Sequence, residues 1–367
     1  MKIKDCLFHP VTLTALVTIV LVGVTLLLAD GDPLALARLG TRYSQGDPNG
    51  SEGYDGQFVY YIARDLAPLA VEPFLDAPAY RYQRILLPLL VYFLSLGSQT
   101  LLPWMLIFIG VVAQVVGTWA VAKMMTCRGV SRWYALAYGL WAGLLLSVVT
   151  DMTEPLAYAL VALGLLAFSQ DRRWLGYLLL GLAVFAKEVT LVFLGACLLD
   201  ELIHKRWRQA AVLTAIGLIP FGLFQVWLWQ VFGQPGLGSG GAMATPFEFI
   251  PFMGLLRIGA HSVPYLIAML VVFGPAIILP SIWGVWKSVQ FWRAGERNVV
   301  VLALLLNSLV IFFLPFSTFR ETGGILRLGC GLVLSVLVFA AWYRQKRVLN
   351  YTLFWIVLMV FLFKSQG

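Results

Sequence analysis

Charge is what this sequence has least of. Only 12% of its 367 residues are Asp, Glu, Lys or Arg, where a soluble domain carries about 25%. Histidine is scarce, and His9, His204 and His261 are far apart. The four cysteines (Cys6, Cys127, Cys197, Cys330) are equally scattered, with no metal-ligand spacing. Neither a zinc site nor a disulfide framework is indicated. Strict polar–apolar alternation is missing, which excludes a membrane β-barrel. The glycine run GQPGLGSGGA is not followed by Lys-Ser or Lys-Thr, so it is not a phosphate loop of the Walker type.

What the chain has in abundance is apolar surface. It is 60% hydrophobic, with a mean hydropathy of +0.85, 13 Trp and 24 Phe. Apolar runs of about 20 residues recur, the length that spans a bilayer as a helix. In hydrocarbon each backbone polar group must be satisfied within its own segment, so these runs are helices. The expected fold is all-α: a polytopic transmembrane helical bundle of about 11 membrane helices, some half-length. It forms a single integral membrane domain over residues 1–367. The bilayer is its first partner. The net charge of +8 sits in short basic clusters between apolar runs. It reports topology and gives no reason to expect nucleic acid.

Lys2 and Lys4 precede the apolar run 11–29. They place the N-terminus in the cytoplasm and the run reads as a retained first helix. Residues 30–100 then form a long outer loop with amphipathic surface helices, among them 85–96, which is too short to cross. Further helices are expected at 101–124, 133–149 and 156–168. The run 175–199 is interrupted by Lys187-Glu188. As one span it would bury both charges at about 3 kcal/mol each. As two half-helices it puts them at an outer tip. The two-helix arrangement leaves 16 of the 26 basic residues inside, the single span only 11. The positive-inside rule selects two helices. Helices at 210–232, 263–286, 299–315, 325–342 and 351–363 follow. The segment 233–262 reads as a flexible linker or a mobile outer lid.

The chemistry is concentrated in the 35 residues YDGQFVYYIARDLAPLAVEPFLDAPAYRYQRILLP, from Tyr54 to Pro88. Loops longer than about 12–15 residues are usually functional or disordered, and this one is too aromatic for disorder. By the expected topology Asp55 shares the outer side with Asp151 and Glu154 of DMTEP, with Lys187 and Glu188, and with Arg320, Glu321 and Arg327. Each has a plainer reading. Asp55-Gly56 suits a turn, Thr-Asp-Met-Thr before Glu-Pro suits a helix cap, and Arg327 can snorkel from a helix end. Together they suit an outer cavity for a lipid phosphate and a hydroxyl acceptor, with carboxylates as bases and cations on the phosphate.

The order of these parts resembles the GT-C superfamily of polytopic glycosyltransferases, which includes protein O-mannosyltransferases and lipid A aminoarabinose transferases. The resemblance rests on YDGQFVYYIARD with RYQRILLPLL, then DMTEP, then LAVFAKEVTL and FRETGGILRL. It covers about residues 10–205, and the rest more loosely. Many members pair two acidic residues in the first loop, whereas Asp55 is followed by Gly56. The resemblance implies a polyprenyl-phosphate sugar donor, inverting transfer, and a glycan, lipid or protein acceptor. It implies Asp55 as general base, with Asp151 and Glu154 orienting substrate or holding a divalent cation (Mg or Mn) if one is used. Lys187, Arg320 and Arg327 would meet the departing phosphate, and Arg81 and Arg84 the donor. Gln57, Tyr60, Tyr82, Glu188 and Glu321 would line the substrate site. The expected location is a bacterial cytoplasmic membrane with the site facing outward. A transporter or flippase, or a lipid-binding relative without chemistry, is the alternative.

Overall fold

The computed structural model describes residues 9–364. Lys2, Lys4 and Cys6 lie outside the described residues. Among the described residues the chain is helical and has no strand. The main helices run, in chain order, α1 (Pro10–Leu28), α2 (Gly56–Arg64), α3 (Leu101–Cys127), α4 (Glu154–Ser169), α5 (Arg173–Ala186), α6 (Leu191–Ile203), α7 (Trp207–Phe232), α8 (Val263–Arg293), α9 (Val299–Phe312) and α10 (Thr322–Trp342). Five of them, α1, α3, α7, α8 and α10, are long and apolar enough to cross a membrane.

Burial ranks these helices. In α10, 94% of the most apolar stretch is buried, in α1 only 17%. The first is the hub and the second lies at the rim. Leu16, Ile19, Leu27 and Leu28 of α1 are exposed, an apolar face that only hydrocarbon would cover at no cost. Two hydroxyls of α1 fold back on their own helix: Thr18 Oγ1 donates to the Thr14 carbonyl at 2.7 Å, and Thr25 Oγ1 to that of Leu21 at 2.9 Å. Such back-bonding satisfies hydroxyls where water is absent. Around the hub, α4 packs on α3 and α5, and α9 packs on α6, α8 and α10.

The helix expected at 133–149 is not continuous. It is divided into Arg132–Ala135, Leu136–Gly139 and Ala142–Val148. Trp141 is extended, with ψ 122°, because its indole N–H donates to the Leu326 carbonyl of α10 at 2.8 Å. The freed Gly139 carbonyl accepts from Gln114 Nε2 at 2.7 Å, so the break leaves that oxygen satisfied. Gly143 lets the segment touch α10: a Cβ there would stand 2.1 Å from the Leu326 carbonyl oxygen.

The interruption at Lys187 is present. Helix α5 ends at Ala186, Lys187 is extended (φ −157°, ψ 121°), and α6 begins after a short 3-10 turn, Glu188–Thr190. Within 85–96 a helix forms over Leu86–Leu94 and packs on α2 and α3, but it is not the amphipathic one expected. Its sequence LLPLLVYFL carries no charge, so its free side shows Phe93 and Leu94 instead of a polar face. Helices α7 and α8 each contain one π-turn, Thr214–Leu218 and Gly274–Ile278, beside prolines that interrupt the regular ladder.

Candidate functional site

The site is built where α2, the Lys187 break and the start of α10 meet. Asp55 stands at the N-cap position of α2, in helical conformation, and its side chain makes no cap bond. Its carboxylate is thereby free for long-range partners. A Cβ on Gly56 would lie 2.1 Å from the Thr150 carbonyl oxygen, so glycine is what lets α2 start directly against the turn carrying Asp151. The Asp-Gly pair is a packing point between two parts of the site.

Two guanidiniums share Asp55. Arg81 Nη1 lies 3.1 Å from Oδ1, and Arg327 Nη1 donates to Oδ2 at 2.8 Å. Arg81 is held in turn by Asp76, through Nε at 2.7 Å and Nη2 at 2.8 Å, and lies over the Phe58 ring. Arg327 lies over the Tyr54 ring, whose hydroxyl donates to Glu321 at 2.8 Å. Beside this group, Lys187 Nζ donates to Glu154 Oε1 at 2.5 Å, with Arg327 Nε 3.9 Å from the same oxygen. Arg84 makes a fork to Glu188, at 2.8 and 2.6 Å, and donates to the Tyr80 hydroxyl. Four cations and four carboxylates thus form one neutral network at a single place.

Neutrality is purchased locally, and the titration of each group follows. Burial raises the Asp55 pKa, but Arg81 and Arg327 outweigh it and hold the carboxyl well below the usual carboxylate range. For Glu188 burial is again opposed by Arg84, which brings the group down to about 2. Asp151 has no such partner. It is buried, sits at φ +51°, and neither carboxyl oxygen finds a hydrogen bond among the described residues. Burial alone, with no cation beside it, pushes its pKa well above the usual range. DMTEP does start α4, with Thr153 at the N-cap position and Pro155 in the first turn, but no side chain makes a cap bond.

The network walls a cavity of about 630 Å³. Asp55, Arg84, Lys187, Glu188 and Arg327 form its polar side, with Leu191, Val310 and Leu314 opposite. Its roof is the non-helical segment 236–247. That segment is tied down: Ala242 N–H donates to Asp76 Oδ2 at 3.1 Å, Leu237 N–H to Gln225 Oε1 at 2.8 Å, and Thr245 and Ser317 exchange two bonds at 3.1 and 3.0 Å. A smaller cavity of about 270 Å³ lies on the far side of Tyr54, lined by Arg38, Glu321 and Leu326.

No family model, curated protein or solved structure matches this chain.

Of the residues singled out in the sequence, the structure brings together Asp55, Arg81, Arg84, Glu154, Lys187, Glu188 and Arg327. Three others fix the loop. Gln57 is buried, accepting from Gly40 N–H at 3.0 Å and donating to the Glu52 carbonyl at 2.7 Å. Tyr82 donates to the Leu66 carbonyl, and Tyr60 is buried edge-on to Tyr61. Arg320 is exposed over Phe316 and makes no ion pair among the described residues. Glu321 reaches the site only through Tyr54. Asp76, Tyr54 and Tyr80 were missed. Asp76 carries a local signal, a carboxylate five residues before Arg81, but the long-range ties of the other two leave none.

The donor set does not fit a divalent cation. Among the described residues no group of three His, Cys, Asp or Glu side chains could hold one. Asp55 and Glu154 already face guanidinium and ammonium groups, which a metal ion would have to displace. What the arrangement offers is an ionised carboxylate, 27% exposed, beside three cations on a cavity wall.

Proposed function

We propose that this chain is a polytopic membrane glycosyltransferase of about 11 crossing or half-crossing helices. It would move a sugar from a polyprenyl-phosphate donor to a hydroxyl acceptor with inversion. The observation that carries the reading is Asp55, an ionised and reachable carboxylate held by two guanidiniums at the wall of the 630 Å³ cavity. The donor phosphate enters among Arg84, Lys187 and Arg327 and competes with Asp55 for Arg327. As Asp55 loses that partner, its basicity rises in the loaded complex. Asp55 then takes the acceptor hydroxyl proton, the acceptor oxygen attacks the anomeric carbon, and the bond from that carbon to the phosphate oxygen breaks. The electron pair leaves on the phosphate, where Lys187 and Arg327 meet the developing charge. Glu154 and Glu188 keep Lys187 and Arg84 in place, and buried Asp151 supports the turn behind Asp55. The basic residues gathered at the other ends of the helices support a site facing outward, as in a bacterial cytoplasmic membrane.

A transport reading draws support from one feature, the helices interrupted at Trp141 and Lys187. One experiment separates the two. The purified chain in vesicles is offered a panel of labelled polyprenyl-phosphate sugars. Label that becomes covalently attached to an acceptor in membrane extract is the expected result. Label that only changes leaflet, unmodified, would replace the enzyme reading by transport.

A further inference from the structure

Another cavity, of about 260 Å³, lies at the opposite end of the bundle. Helices α5 and α6, of 14 and 13 residues, run between it and the Lys187 break, which separates the two sites by about 20 Å. Its polar rim comes from the end of α3, the start of α5 and the end of α6; its floor is Leu165, Phe168 and Val338.

Two of the three carboxylates that line the cavity, Asp200 and Glu201, are already paired. Glu201, 2% exposed, accepts from Arg173 Nη1 at 2.6 Å, from the Tyr177 hydroxyl at 2.8 Å and from Arg206 Nε. Asp200 accepts from Arg206 Nη2 at 2.6 Å and faces His204 Nδ1 at 3.2 Å. Two carboxylates are therefore matched by two arginines. Asp171 also lines the cavity, exposed in a turn with φ +60°, and makes no ion pair among the described residues.

Arg128 is the cation left over. It lines the cavity, and no carboxylate lies within ion-pair distance of it among the described residues. Its guanidinium lies over the Trp342 ring, which fixes its plane and leaves the N–H edge for a ligand. Arg344 stands behind it, donating to the Arg128 carbonyl at 2.9 Å, and adds a second positive charge that also lacks a carboxylate partner. A planar guanidinium, oriented by Trp342, without an ion-pair partner and lining a cavity beside apolar side chains, can receive a phosphate.

We propose that this cavity binds the phosphate group of a second ligand, held by Arg128 on Trp342, with the ligand's body on the Leu165–Phe168–Val338 floor. Basic pockets between membrane helices suit lipid headgroups, and the volume equally admits a small phosphate ester. Both sources share this chemistry. The proposal is independent of any role for Asp55.

The test uses the full chain in nanodiscs with two probes. Glycerol 3-phosphate is titrated calorimetrically, and retention of phosphatidylglycerol against phosphatidylcholine is read by native mass spectrometry. At least one phosphate probe should bind, with Arg128→Gln weakening it by about tenfold or more. Arg347→Gln, exposed and outside this cavity, should leave binding unchanged. Binding of the lipid alone identifies a headgroup site; binding of glycerol 3-phosphate identifies a soluble ester site. If Arg128→Gln does not fold, Arg128→Lys keeps the charge and removes the fork, and it too should bind more weakly. Absence of binding by either probe, or equal binding by wild type and the Arg128 variants, would overturn the proposal.

Discussion

At Asp55 the decisive quantity is the balance between burial and two guanidiniums. Burial raises the pKa, the arginines lower it further than burial raises it, and the group is ionised at every ordinary pH. The sign is that of a depressed carboxylate. Its pairing contributes stability above the unfolded pKa and loses it only as pH falls through the lower folded value. The acid limb of kcat/KM should therefore fall below pH ~4, the value for a free carboxyl. Arg81→Gln removes one partner, so the limb should move to higher pH. A pH–rate profile of both proteins checks this, and coincident limbs would refute the balance. At Lys187 and Glu154 the prediction concerns stability. Both are buried, 3% and 1% exposed. Lys187→Met leaves Glu154 without its nearest cation and should cost about 3–5 kcal/mol. The double variant Lys187→Met/Glu154→Leu should recover much of that. Unfolding in mixed detergent micelles, read as a double-mutant cycle, measures the difference.

Helices were legible from the sequence where one property decided them. Length and apolarity mark α1, α3, α7, α8 and α10, and Lys187-Glu188 marks its own break because neither charge can sit in hydrocarbon. The division at Trp141 was not legible, since its cause is a carbonyl 185 residues away. Within the site, charge and expected topology grouped Asp55, Glu154, Lys187, Glu188 and Arg327 in advance, and the family resemblance added Arg81 and Arg84. Pairing was not legible: nothing in the chain order says that Arg81 serves both Asp55 and Asp76, or that Arg320 stays outside while Arg327 enters. The close approach at Gly143 gives a test at this scale. Gly143→Ala forces a Cβ against backbone and should destabilise by about 1–3 kcal/mol. Gly195→Ala in α6, which meets nothing within 4 Å, should be neutral or stabilising by up to about 1 kcal/mol. Thermal unfolding of the two variants in one detergent distinguishes them, and equal losses would contradict the packing.

For the whole molecule, the polarity of the bundle organises everything else. One end carries the Asp55 network and its cavity, and the other carries Arg128, Arg173, Arg206 and Arg344. Cys127 is exposed at this second end and serves as a natural probe. With the other cysteines replaced and a thiol placed at exposed Glu72, an impermeant maleimide on intact cells should label position 72. Cys127 should react only after lysis. The reverse pattern would put the site on the cytoplasmic side. The central claim is that Asp55 is the base of a transfer reaction, and one measurement reaches it directly: donor binding and sugar transfer, recorded together for wild type and Asp55→Asn. The account predicts that the variant still binds polyprenyl-phosphate sugar but transfers it about 10²–10⁴-fold more slowly. Transfer at the wild-type rate with Asn at position 55 would contradict it.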